Sequence, residues 1–152
     1  MQLYSEDKEA IFEIVAARYF TEQQWKWINL KKGCDKIFRA YEELEEQYAA
    51  YSYVSRDWYV ENMGSKNIHM CDTWKELKNL VTFLKSYKEA FNFLINTGEK
   101  KAFCIVSDSK EVRETQALAI EKVKELGYPV IVFLTNIPKD FDFQVLQVRS
   151  VN

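Results

Sequence analysis

This chain of 152 residues is poor in the residues that build rigid chemical sites. It has one histidine, His69, so no His-rich metal cage and no Ser-His-Asp triad with a choice of imidazoles can be assembled. Three cysteines, Cys34, Cys71 and Cys104, lie far apart and form no CxxC pair. That spacing argues against a disulfide framework or a zinc knuckle and for reduced thiols in a cytoplasmic protein. Four glycines and two prolines leave little material for a loop-rich scaffold and predict long regular elements. There is no GxGxxG and no Walker-type loop, which disfavours a nucleotide-binding α/β domain. The longest apolar run, Val130 to Leu134, is too short to cross a membrane. The first ten residues are acidic and lack the apolar stretch of a signal peptide. Basic excess is missing too: the net charge is −2, not the usual footprint of a nucleic-acid binder.

What is present is a large apolar complement, 47% hydrophobic and 15% aromatic, sufficient for a core. The length suits one domain over 1–152, with a mainly helical part to residue 90 and a strand-rich part from 91. Helical periodicity is expected over 6–20, through Ile11, Phe12, Val15, Ala16 and Tyr19. Thr21 and Gln24 have capping-box spacing, which predicts a short helix ending at Lys31-Lys32-Gly33. A further helix is expected over 35–50, its outer face carrying Glu42, Glu43, Glu45 and Glu46 as a solvated acidic stripe. The aromatic stretch 51–72 reads as irregular, with a short strand at Ile68 to Cys71. His69 reads as structural or surface-exposed. Thr73 and Glu76 form a second capping box before a helix over 74–88.

From residue 91 the pattern changes. Phe91 to Ile95 reads as a strand, Asn96-Thr97-Gly98-Glu99 as a hairpin turn, and Ala102 to Val106 as the partner strand. A helix over 111–126 closes at Gly127, and Pro129 to Leu134 reads as a strand buried on both faces. The passage from Phe103 to Leu134 is then a parallel β–α–β crossover, followed by an edge strand through Phe141, Phe143 and Val145. Alternation places Cys104, Val106, Asp108 and Lys110 on one face of their strand. An acid beside an amine, where a strand meets a helix N-terminus, suits a divalent cation and a phosphate. The plainer reading is that Asp108 and Glu111 are ordinary acids at a helix start.

Asp108-Ser109-Lys110, the preceding hairpin, the run Glu114-Thr115-Gln116 and the entry Leu126-Gly127-Tyr128-Pro129-Val130 together resemble the PD-(D/E)XK nuclease superfamily over about residues 90–135. The resemblance implies an α/β fold: a restriction-endonuclease-like mixed sheet flanked by helices, with an added N-terminal helical region. It implies a Mg²⁺- or Mn²⁺-dependent deoxyribonuclease, with Asp108 on the metal, Lys110 orienting the attacking water and Gln116 reaching the site from the helix. Asn92 stands where that family has its first metal-binding Asp. An amide oxygen adds no charge to a cation site, so activity is expected to be weakened or lost unless Glu111 or Glu114 compensates. Glu9 or Glu13 matches the acid that the family's first helix sometimes supplies. DNA is the partner so implied. The alternative is a non-catalytic nucleic-acid- or protein-binding module that keeps the fold and uses the aromatic 51–63 region and the amphipathic N-terminal helices. A homodimer is compatible with either, and no membrane association is expected.

Overall fold

The computed structural model describes residues 5–51, 54–64, 71–108, 113–135 and 143–147. The expected strand at Ile68 to Cys71, and His69 with it, fall largely outside that set. The chain divides into two compact units: 1–28 with 89–152, and 29–88.

The first unit is a mixed sheet with helices. Helix α1 spans Ser5–Glu22, strand β1 Lys26–Asn29, β2 Phe93–Asn96, β3 Lys101–Ser107, helix α5 Glu114–Glu125, β4 Val130–Thr135 and β5 Phe143–Gln147. Strand order follows the sequence, β1-β2-β3-β4-β5. The β2–β3 hairpin is antiparallel, with Phe93 opposite Cys104 and Ile95 opposite Ala102. Strands β3 and β4 run parallel, Cys104 beside Ile131 and Val106 beside Phe133. Strand β5 returns antiparallel along β4. The crossover, hairpin and edge strand expected from the sequence are therefore present.

Alternation sorts the core. Phe93, Ile95, Ala102, Cys104, Val106, Ile131 and Phe133 share one buried cluster with Phe12, Ala16 and Phe20 of α1. The α1 residues recur every four positions, which puts them on one helical stripe against the sheet. Phe20 is its centre: its ring meets Phe93 at 5.3 Å and Phe133 at 5.7 Å, both edge-on. The opposite sheet face buries Leu94, Phe103, Ile105, Val130 and Val132. There Phe103 packs on Phe91 at 5.0 Å and Tyr128 at 5.4 Å. The buried Ala119, Ile120 and Val123 form the inner side of α5. Gly98 in the hairpin and Gly127 after α5 take positive φ, as their turns require.

The expected short helix from Thr21 does not form; β1 occupies that stretch. Helix α1 runs on through Thr21, whose hydroxyl donates back to the Ala17 carbonyl instead of capping a new helix. Termination comes at Gln24, with φ +62°. Trp25 N–H reaches the Phe20 carbonyl at 2.9 Å and Gln24 N–H the Thr21 carbonyl at 3.0 Å. This pair of bonds is the Schellman helix stop, and the Trp25 ring stacked on Phe20 is its usual apolar contact. Gln occupies the place that glycine normally signals, so the stop was invisible in the sequence.

The second unit contains α2 (Leu30–Ala50), α3 (Arg56–Tyr59), a π turn (Val60–Gly64) and α4 (Trp74–Tyr87). Helix α2 starts earlier than its periodicity suggests, because Asn29 Oδ1 accepts from the Lys31 and Lys32 N–H groups. Lys31-Lys32-Gly33 thus lies inside a helix. Leu30, Cys34, Ile37, Ala40 and Leu44 form its buried stripe, and Glu42, Glu43, Glu45 and Glu46 are exposed. At α4, Thr73 Oγ1 accepts from Glu76 N–H at 3.1 Å. The Glu76 carboxylate reaches back to the N–H of Asp72. Among the described residues, no helix is long and apolar enough to cross a membrane.

Candidate functional site

Asn92 precedes β2 and is 5% exposed. Its N–H donates to the Cys104 carbonyl at 2.9 Å. Its side-chain Oδ1 accepts from the Val106 N–H at 2.8 Å, supplying β3 with an acceptor where the β2 ladder has not yet begun. The amide Nδ2 donates to Glu13 Oε2 at 3.0 Å and to Glu9 Oε1 at 3.2 Å. Glu9 and Glu13 are one helical turn apart on α1, so both reach the same amide. Glu13 is 9% exposed, which makes its partner consequential: a buried carboxylate without a donor is strongly destabilising.

This bonding decides what Asn92 can do. The oxygen a cation would need faces a backbone N–H. The nitrogen, which has no lone pair to offer, points between two carboxylates. The amide therefore supplies the donor that both Glu9 and Glu13 accept from. The residues at this position do not fit a Mg²⁺ or Mn²⁺ site that uses Asn92 as a ligand.

Gln116 is 3% exposed and equally committed. Its Oε1 accepts from the Arg113 N–H at 3.1 Å, closing the first turn of α5, and its Nε2 donates to the Ala90 carbonyl at 3.0 Å. Both ends of the amide thus tie α5 to the segment entering β2. Asp108 lies one residue beyond β3 and is exposed. Lys110 and Glu111 lie outside the described residues. Helix α5 begins at Glu114, later than the expected 111, with Glu114 in its first turn. Among the described residues, no group of three or more His, Cys, Asp and Glu side chains is placed to hold a metal ion.

Cys104 is fully buried beneath α1, and burial pushes its thiol far above the ordinary range. It is a core residue, as its apolar neighbours suggested. Cys34 and Cys71 are also free and buried. No protein-family model, curated protein or solved structure matches this chain.

Proposed function

We propose that this protein is a nuclease-like chain of the PD-(D/E)XK type that is impaired in metal-dependent cleavage of DNA and serves as a non-cleaving binding module. The observation that carries the reading is the hydrogen bonding of Asn92. Its amide joins Val106, Glu9 and Glu13 in the manner of a structural bridge. The order hairpin, helix and parallel strand supports the restriction-endonuclease-like part of the proposal. The commitment of Gln116 to Arg113 and Ala90 supports the impaired part, because that side chain is not free to meet a substrate.

The test is incubation with single- and double-stranded DNA and with Mg²⁺ or Mn²⁺. The proposal expects no cleavage above a metal-free control, together with DNA binding that weakens steeply as salt rises. Absence of DNA binding would redirect the module to a protein partner.

A second reading is favoured by the convergence of Glu9 and Glu13. In it the enzyme is active, and these two acids hold the cation together with water and substrate phosphate oxygens while Asn92 orients them. Metal-dependent cleavage that disappears in Glu13→Gln would establish this reading and remove the first.

A further inference from the structure

The second unit contains an aromatic cluster that the nuclease reading does not use. Tyr41 and Tyr48 lie seven residues apart on α2, two helical turns, and so share a face. Trp74 at the start of α4 meets Tyr41 at 5.6 Å and Tyr48 at 6.2 Å, each tilted by nearly 50°. The three rings form one contiguous aromatic cluster.

The guanidinium of Arg56 lies against two of its rings. Its central carbon lies 4.0 Å from the Tyr48 ring centroid and 5.6 Å from that of Trp74. Arg56 is exposed and makes no ion pair with any carboxylate among the described residues, and its guanidinium rests on ring faces. The helix that presents it is fastened down on both sides. Asp57 Oδ1 accepts from the Trp74 N–H at 2.8 Å, and the Tyr59 hydroxyl donates to the Tyr51 carbonyl. Glu45 hydrogen-bonds the Tyr41 hydroxyl, placing negative charge at the rim. Glu42 and Glu46 on the same helix are exposed. Ring faces with an acidic rim are the elements that recognise a weakly hydrated cation.

We propose that Tyr41, Tyr48 and Trp74 form a receptor for a methylated ammonium group, and that Arg56 is its resident occupant in cis. The side chain of Arg56 covers the ring faces, and a ligand binds by displacing it. A guanidinium and a methylated ammonium share the property the site selects, positive charge with little hydration to lose. An unmethylated lysine ammonium, more strongly hydrated, binds less well.

The experiment is a calorimetric titration of the full chain with choline, with free trimethyllysine, and with 3,3-dimethylbutan-1-ol, the uncharged isostere of choline. Wild type, Arg56→Ala and Trp74→Leu in the Arg56→Ala background are compared, each checked for an unchanged circular dichroism spectrum. Arg56→Ala should bind a cationic probe saturably and at least about tenfold more tightly than wild type, as loss of the competing cation–π contacts requires. Trp74→Leu should abolish that binding, and the uncharged isostere should not bind. Preference for choline or for trimethyllysine separates a small-molecule or headgroup source from a modified side chain. A folded Arg56→Ala protein that binds neither cation, or binds the isostere equally, overturns the proposal. A second measurement does not depend on that variant folding. In wild type, millimolar tetramethylammonium should shift the NMR ring signals of Tyr41, Tyr48 and Trp74 and the guanidinium signal of Arg56. Unmoved signals there also overturn it.

Discussion

Replacing Asn92 by Asp is the most informative change to the first unit. The two side chains have the same shape, so packing is preserved and only the chemistry at one atom changes. The donor that meets Glu13 at 3.0 Å and Glu9 at 3.2 Å becomes an acceptor with negative charge. At about 3 Å, and with an effective dielectric of about 20, each such pair of like charges repels by about 5 kcal/mol. The cluster escapes most of this by binding a proton. Near neutral pH that costs a carboxyl of ordinary affinity about 4 kcal/mol, partly offset by the hydrogen bond the new acid donates. We expect Asn92→Asp to lower stability by about 3 kcal/mol near pH 7.5, by denaturant titration. The folded variant holds more protons than its unfolded chain above the ordinary carboxyl range. Its deficit therefore grows as pH rises, by up to about 1.4 kcal/mol per unit, and shrinks toward about pH 5. Mg²⁺ offers a different neutraliser and should narrow the deficit while leaving wild type unchanged. A variant within about 0.5 kcal/mol of wild type near pH 7.5 in chelator, inside the range of neutral surface changes, would refute the bridging role of the amide.

Other changes test the surrounding account. Phe20→Ala should cost about 3–5 kcal/mol, because a fully buried ring is lost from between Phe93 and Phe133; a smaller loss in a denaturation curve would place the core elsewhere. Gln24→Gly should raise stability by about 1 kcal/mol, since glycine adopts the φ of +62° without strain; a lower melting temperature would contradict the helix-stop assignment. Burial and the Glu45 hydrogen bond push Tyr41 up to about 12, so one tyrosine should ionise late in an ultraviolet titration and vanish from it in Tyr41→Phe. Because the folded state holds that proton more tightly, this contribution to stability is complete below the ordinary tyrosine range, about pH 10, and lost as pH climbs toward about 12.

Local signals made the C-terminal half legible. Asn96-Thr97-Gly98 announced the hairpin through a glycine at positive φ, and Gly127 announced the end of α5 in the same way. The continuous apolar run after Pro129 announced a strand covered on both faces. Strand β1 was hidden because Gln24 makes a glycine-like turn without being glycine. Helix α2 was cut short because its cap, Asn29, lies before a Lys-Lys-Gly run that reads as a terminus. The site was partly legible. Asn92, Gln116, Glu9 and Glu13 were all singled out, but as ligands or catalytic groups. That Asn92 bonds both glutamates is a tertiary fact spanning 83 and 79 residues, and no local periodicity carries it. The Arg56 cluster was read only as an aromatic stretch, because its partners Tyr48 and Trp74 come from separate helices.

The claim on which the functional account rests is that the Asn92 amide supplies the donor that both Glu9 and Glu13 accept from. It is tested most directly by following the Asn92 side-chain NH₂ signals by NMR while Mg²⁺ is added to the wild-type protein. The account predicts two resolved, slowly exchanging protons that do not move in millimolar Mg²⁺. Saturable displacement of those signals, with matching shifts at the Glu9 and Glu13 carboxylates, would contradict it.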